Sequence, residues 1–231
     1  MNNLIKHQFI LGLGLIIGMA LAAMTIVKKN NINYFVLTVA DCEAGYRNTM
    51  VGHVKTLAQE LLDGAGAVRV RVGVVATGDN PGAVLLVQAY ETIDGFERAM
   101  DVYAKSAAYA DFVASGKVQI RLRNLVKTHP VPFQSKASGD GKYIVLTRVS
   151  SSDPLLDNMA KLAKVFEDAG ACTLAYGTVI TGSNVGNRLL GVTYPSMSAI
   201  ESAYDTLASN ADYQALLEDV DINMRHIVRL A

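Results

Sequence analysis

The chain contains one unit twice. Gly73-Val-Val-Ala-Thr-Gly-Asp79-Asn80-Pro81-Gly82 aligns with Gly177-Thr-Val-Ile-Thr-Gly-Ser183-Asn184-Val185-Gly186 at a spacing of 104 residues. The spacing continues without a gap: Leu85 meets Leu189, Tyr90 meets Tyr194, Glu97 meets Glu201, Asp101 meets Asp205, Tyr109 meets Tyr213 and Arg121 meets Arg225. Upstream, Tyr34–Thr38 matches Tyr143–Thr147 at a spacing of 109, so the first copy carries five additional residues before its glycine turn. A repeat of this length marks a whole supersecondary unit. The units are expected at 34–126 and 143–231, joined by residues 127–142, whose Pro, Ser and Gly content reads as a linker.

Inside each copy the hydrophobic period switches in a fixed order. In the first, YFVLTVA alternates as a strand, and Arg47–Leu62 places Met50, Val54, Leu57, Ala58 and Leu61 on one helical stripe. VRVRVGVVA and AVLLVQAY are two strands separated by a glycine-rich turn. Ile93–Val113 is helical with a break near Ser106, and VQIRLRNLV closes the unit. The order is β-α-β-β-α-β, the split ferredoxin-like arrangement, with an antiparallel sheet and both helices on one face. The fold class is α+β.

Each copy resembles a dimeric α+β barrel module, the group that includes antibiotic-biosynthesis-type monooxygenases and stress-responsive barrel proteins. The resemblance rests on element order and on the closing patterns KSAAYADFVASGKVQI and SNADYQALLEDVDI. It implies that two sheets pack face to face around a lumen, with tandem copies supplying within one chain what a homodimer supplies elsewhere. It is specific for fold and says little about activity. Some members of that group bind haem through a histidine, which raises His53 and His226. A lone histidine is more often structural, so no cofactor and no metal are expected.

Strand alternation assigns faces. Val68, Val70, Val72 and Val74 share the side suited to covering helices, leaving Arg69, Arg71 and Gly73 on the other. In the closing strands Gln119, Arg121 and Arg123, and Asn223, Arg225 and Arg229, form equivalent polar rows. If these rows line the lumen, Arg69, Arg71, Arg121, Arg123 and Arg225 would favour a small anionic ligand, because guanidinium groups bind carboxylate and phosphate in bidentate fashion. If the strands lie at sheet edges, the arginines are ordinary solvated charges. The second copy has Thr173 and Ala175 where the first has Arg69 and Arg71, so such a pocket would be asymmetric.

The mean hydropathy is positive, and residues 9–27, FILGLGLIIGMALAAMTIV, explain it: nineteen residues without a charge. At about 1.5 Å per residue such a helix nearly crosses a ~30 Å hydrocarbon core. A signal peptide competes, since Lys6 precedes the run and Ala20-Leu21-Ala22 has the form of a cleavage site. The expectation is a single-pass anchor flanked by residues 1–8 and 28–33, with Gly14, Gly18 and Ala22 forming a small-residue row for packing on other transmembrane helices. Lys28 and Lys29 place the barrel units on the cytoplasmic side.

With 21 Lys+Arg against 21 Asp+Glu the formal charge is zero, which argues against nucleic-acid binding. No Ser-His-Asp or Cys-His arrangement is placed by spacing, so no catalytic residue is assigned. Two functions follow. The first is an accessory subunit docked through its helix on a larger membrane complex, respiratory or photosynthetic, with lipid bilayer and transmembrane helices as partners. The alternative is a membrane-tethered barrel enzyme or small-molecule binder, monooxygenase-like, with an arginine-lined lumen.

Overall fold

The computed structural model of the chain describes residues 31–137 and 141–231. The first repeat runs β1 (Tyr34–Cys42), α1 (Arg47–Gly64), β2 (Arg69–Thr77), β3 (Val84–Tyr90), α2 (Asp94–Lys105), α3 (Ala107–Ala114) and β4 (Val118–Thr128). The second runs β5 (Tyr143–Ser150), α4 (Leu156–Asp168), β6 (Thr173–Val179), β7 (Arg188–Tyr194), α5 (Met197–Ala208), α6 (Ala211–Asp219) and β8 (Asp221–Leu230). The helical break in the first repeat falls at Ser106, whose side chain accepts the Tyr109 amide at 3.0 Å. Asn210 does the same for Tyr213 at 2.9 Å. Ser106 both ends one helix and caps the next, while Asn210 follows the Ser209 end of α5 and caps α6; each break turns the chain onto its closing strand.

The strands close into one barrel in the order β1-β3-β2-β8-β5-β7-β6-β4. Each repeat contributes a four-stranded antiparallel sheet, and the repeats join at two seams, β2 with β8 and β4 with β6. Both seams need glycine. A Cβ on Gly73 would lie 2.6 Å from Val228 Cγ1 and 2.8 Å from the Arg229 carbonyl, and one on Gly177 would strike the Lys127 carbonyl. These residues head the two copies of the repeated motif, so closure explains why glycine stands at both.

The pleat divides every strand between an outer layer and the lumen. On the outer side of the first sheet, α1 lays Met50, Val54, Leu57 and Leu61 over Val36, Val72, Leu86 and Leu125. The second repeat does the same with Met159, Leu162 and Phe166 over Val145, Tyr176 and Val192. Each fully buried aliphatic or aromatic side chain contributes about 1.5–3 kcal/mol. Inside the barrel, Leu37, Val39, Val75, Leu85, Ile144, Leu146 and Val228 form a third apolar cluster. That cluster fills the waist of the lumen.

The closing strands depart from simple alternation. The register of β1 on β4 shifts between Val39 and Ala40, which pair with Leu122 and Ile120, so Arg121 is the extra residue of a bulge. In β8 the shift between Arg148 and Val149 makes Asn223 the equivalent residue. A bulge of this kind flips the alternation beyond it. Thr38 pairs with Arg123 and Thr147 with Arg225, so Arg123, not Arg121, is the spatial counterpart of Arg225. The spacing of 104 breaks before the last strand, where the second copy is two residues shorter.

The expected transmembrane helix at 9–27, with its Gly14, Gly18 and Ala22 row, lies outside the described residues. The single-pass membrane placement drawn from it is corrected: among the described residues no helix is long and apolar enough to cross a membrane.

Candidate functional site

Lumen-facing positions gather at the two ends of the barrel, on either side of the aliphatic waist. At one end lie the beginnings of β1, β2, β5 and β6 and the ends of β3, β4 and β7. There a cavity of about 70 Å³ is lined by Arg69 and Arg71 on one wall and by Thr173, Ala175, Gly177, Gly191 and Thr193 on the other. Phe35, Leu37, Ile144, Leu146 and Leu189 form its apolar floor. The two walls are equivalent strands of the two repeats. Where the first has Arg69, Arg71, Val87 and Ala89, the second has Thr173, Ala175, Gly191 and Thr193. The cavity exists because one copy has small residues facing the guanidinium groups of the other.

Local structure fixes the arginines. Arg69 and Arg71 pair with Ala89 and Val87 on β3, while on the other side β8 meets β2 only from Gly73 onward. The mouth therefore opens sideways into a groove of about 560 Å³ that Lys55, Arg69, Arg71 and Thr173 share. Among the described residues no Asp or Glu side chain lines the mouth or the groove. Thr173 and Thr193 bond to each other through their hydroxyls at 2.6 Å. Tyr176 is the titratable neighbour besides the arginines; burial pushes its phenol up to about 12, and its hydroxyl donates to the Pro154 carbonyl at 2.7 Å. The mouth offers cations, hydroxyls and apolar surface, but among the described residues no side chain that accepts a proton near neutral pH.

The other three arginines go elsewhere. Arg121 lies at the opposite end of the lumen, ion-paired with Asp41. Arg123 and Arg225 point away from the lumen, under the helices. The Arg123 guanidinium stands 4.5 Å over the Tyr103 ring and that of Arg225 stands 4.9 Å over Tyr204, and their Nε groups donate to Thr38 and Thr147. These two hold strand to helix. The sequence row that grouped Arg123 and Arg225 with the lumen arginines is undone by the bulge. Asn124 and His226 occupy the lumen positions instead. Lone residues in irregular strands, they carried no signal of spacing.

A family model described as a domain of unknown function (DUF6854) matches residues 32–128 and again residues 141–230. The chain belongs to this family. Each DUF6854 copy coincides with one βαββαβ unit, so the barrel is a DUF6854 pair closed on itself. Among curated proteins none matches the sequence. Solved structures share the fold. A chlorite dismutase from Candidatus Nitrospira defluvii, an arginine-to-alanine mutant, superposes with a TM-score of 0.56 at 9% identity, over 86% of this chain and 90% of that one. A protein described as a monooxygenase candidate from Fusobacterium nucleatum gives 0.59 at 10% identity, over 86% and 92%. A haem-binding protein from Thermus thermophilus gives 0.53 at 10%, over 86% and 91%. At such identities the likeness is one of fold.

These matches correct the reading of the chain as an accessory subunit of a membrane complex. The DUF6854 pair, taken whole, has the barrel of proteins described by dismutation, haem binding and monooxygenation, and the segment expected to dock, residues 9–27, lies outside the described residues, among which no helix is long and apolar enough to cross a membrane. Of the two readings, the alternative, a barrel enzyme or small-molecule binder, is the one with which this fold agrees better, its membrane tether aside.

Haem itself does not fit the residues present. The cavities between sheet and helices measure about 20 Å³ in the first repeat and about 50 Å³ in the second, and among the described residues neither is lined by a histidine or cysteine. An engineered cavity of about 150 Å³ holds no more than a benzene. Of the imidazoles, His53 stacks against Tyr46, His129 bonds to Thr178 at 2.7 Å, and His226 accepts the Asp79 amide at 3.3 Å. No group of three or more His, Cys, Asp or Glu residues among the described residues could hold a metal ion.

Proposed function

We propose that the tandem barrel binds a small organic anion, a carboxylate carrying a short aliphatic body, at the mouth bordered by Arg69 and Arg71. The observation that carries the reading is the pairing of two guanidinium groups on β2 with an apolar cavity whose other wall is Thr, Ala and Gly, and which no Asp or Glu side chain lines among the described residues. The arginines supply charge-assisted hydrogen bonds and the aliphatic floor takes the body of the ligand. Lys55 adds a third cation at the approach. The barrel relatives described as a monooxygenase candidate and a haem-binding protein support small-molecule handling within this architecture. The lack of a proton-accepting side chain at the mouth among the described residues favours binding over turnover.

Propionate tests the proposal, with 1-propanol as its neutral counterpart, by calorimetric titration of the full chain. The acid is expected to bind and the alcohol to bind at least ~10-fold more weakly, since one charge-assisted bond contributes about 1.5–3 kcal/mol and 1.4 kcal/mol is tenfold. The double variant Arg69→Ala, Arg71→Ala should lose the acid's advantage. Equal binding of acid and alcohol, or an unchanged double variant, would sink the reading.

A further inference from the structure

We infer that the opposite end of the lumen is a second binding site, for a small oxoanion held by Asn124, His226, Arg121 and Arg148. It is independent of the mouth, from which the aliphatic waist separates it. A cavity of about 50 Å³ lies there, and these four residues and Asn80 are its polar lining. A single water needs only about 10–15 Å³ by the same measure, so there is room for a ligand of three or four heavy atoms.

Asn124 is 5% exposed, and its side-chain amide makes no hydrogen bond among the described residues. Asn124 lines the cavity, so whatever occupies that space is the partner open to its amide. His226, 8% exposed, is its counterpart: Asn124 pairs with Leu37 on β1 and His226 with Leu146 on β5. Each packs on a glycine of the facing repeat's hairpin. A Cβ on Gly182 would come 2.5 Å from Asn124 Oδ1, and one on Gly78 would run into the His226 ring. Both glycines also have positive φ, +88° and +108°. The hairpins thus press the two polar side chains inward.

The chemistry of the cavity is that of donors. His226 Nε2 accepts the Asp79 amide at 3.3 Å, which assigns the ring proton to Nδ1, and Nδ1 has no acceptor among the described residues. Arg148 spends Nε on Asn223 Oδ1 at 2.6 Å and Arg121 spends Nε on Asp41, leaving the terminal nitrogens of both without hydrogen bonds among the described residues. Asp41 offsets the charge of Arg121. Arg148 has no carboxylate within ion-pair distance among the described residues, and Asp79, 3.7 Å from the His226 ring, has its own side chain 82% exposed. An amide, an imidazole N–H and two guanidinium edges around a small space suit a compact ligand made of acceptors and carrying negative charge, as nitrate, formate and bicarbonate are.

Nitrate serves as the probe, titrated against chloride at constant ionic strength while the ¹⁵N-labelled side chains of Asn124 and Arg148 are followed by NMR. The expected result is a saturable shift of both groups with nitrate. In Arg148→Met, which keeps the aliphatic stem, the affinity should fall by at least ~10-fold, and in Arg69→Ala, Arg71→Ala it should be unchanged. Asn124→Leu should abolish the effect as well. The inference is overturned by no saturable shift, by a shift that survives Arg148→Met, or by one lost only in the Arg69/Arg71 double variant. That last outcome would assign nitrate to the mouth.

Discussion

Arg123 lies with its guanidinium 4.5 Å above the ring of Tyr103, and this contact ties the closing strand of the first repeat to the helix that covers it. The same side chain donates from Nε to Thr38 at 3.3 Å, so it also bridges two strands. A cation over an aromatic face contributes about 0.5–2 kcal/mol according to how dry it is, and the aliphatic stem packs besides. Arg123→Leu should lower the unfolding free energy by about 1–2 kcal/mol in urea titrations and leave carboxylate binding at the mouth unchanged. Arg225→Leu should cost less, because Arg225 is the more exposed of the two.

The buried tyrosines separate the repeats. Gln88 Oε1 accepts from the hydroxyls of Tyr90 and Tyr103, each at 2.8 Å. The second repeat has Val192 where the first has Gln88, and the Tyr194 hydroxyl is buried with no partner among the described residues. Gln88→Leu should destabilise by about 2 kcal/mol or more, since it strands two hydroxyls. Tyr90→Phe should cost about 1 kcal/mol, whereas Tyr194→Phe should be neutral or slightly stabilising. Chemical denaturation of the three variants checks the order, and a destabilised Tyr194→Phe would contradict it.

Alkaline pH acts on the same residues. Burial raises the phenols of Tyr90 and Tyr194 above the usual range and pushes Tyr176 up to about 12. In the unfolded chain a tyrosine ionises near about 10. Between these values the unfolded state binds fewer protons than the folded one, so stability falls as pH rises. The stabilising effect is complete below about pH 10 and fades as pH climbs towards the folded values. Urea midpoints measured from pH 8 to pH 11 should hold level and then drop, and Tyr194→Phe should make the drop shallower.

Glycines give opposite outcomes at two sites. Gly177→Ala drives a methyl into the Lys127 carbonyl and to 2.8 Å from Val126 Cγ1, at the seam where Val126 pairs with Val179. Faster amide exchange along β6 and reduced stability are expected. Gly52, inside α1, has nothing within 4 Å of an added Cβ. Gly52→Ala should stabilise by about 0.5–1 kcal/mol through helix propensity alone.

Much of this architecture is legible in the sequence because it is written twice. The glycine turns, the Tyr90 and Tyr194 strand ends and the helix break at Ser106 recur at fixed spacing, and two copies of one element order leave few ways to close a sheet. The valine-arginine alternation of β2 is regular, so the faces of Arg69 and Arg71 can be read from it. The closing strands are a different matter. A bulge at Arg121 and a loss of two residues before β8 change both parity and register, and pattern matching pairs Arg121 with Arg225 when the fold pairs Arg123 with it. Asn124 and His226 are invisible for the same reason: nothing in an irregular strand announces that an isolated amide and an isolated imidazole will occupy matching positions.

The two walls of the mouth belong to equivalent strands, and that has an electrostatic consequence. A symmetric dimer of the first repeat would carry Arg69 and Arg71 to the same end twice. Four guanidinium groups would then face one another across an apolar gap, where like charges repel far more strongly than in water. Joining the copies in one chain releases them from symmetry. Thr173 and Ala175 can stand opposite Arg69 and Arg71, and the arginines at that end of the barrel stay on one side.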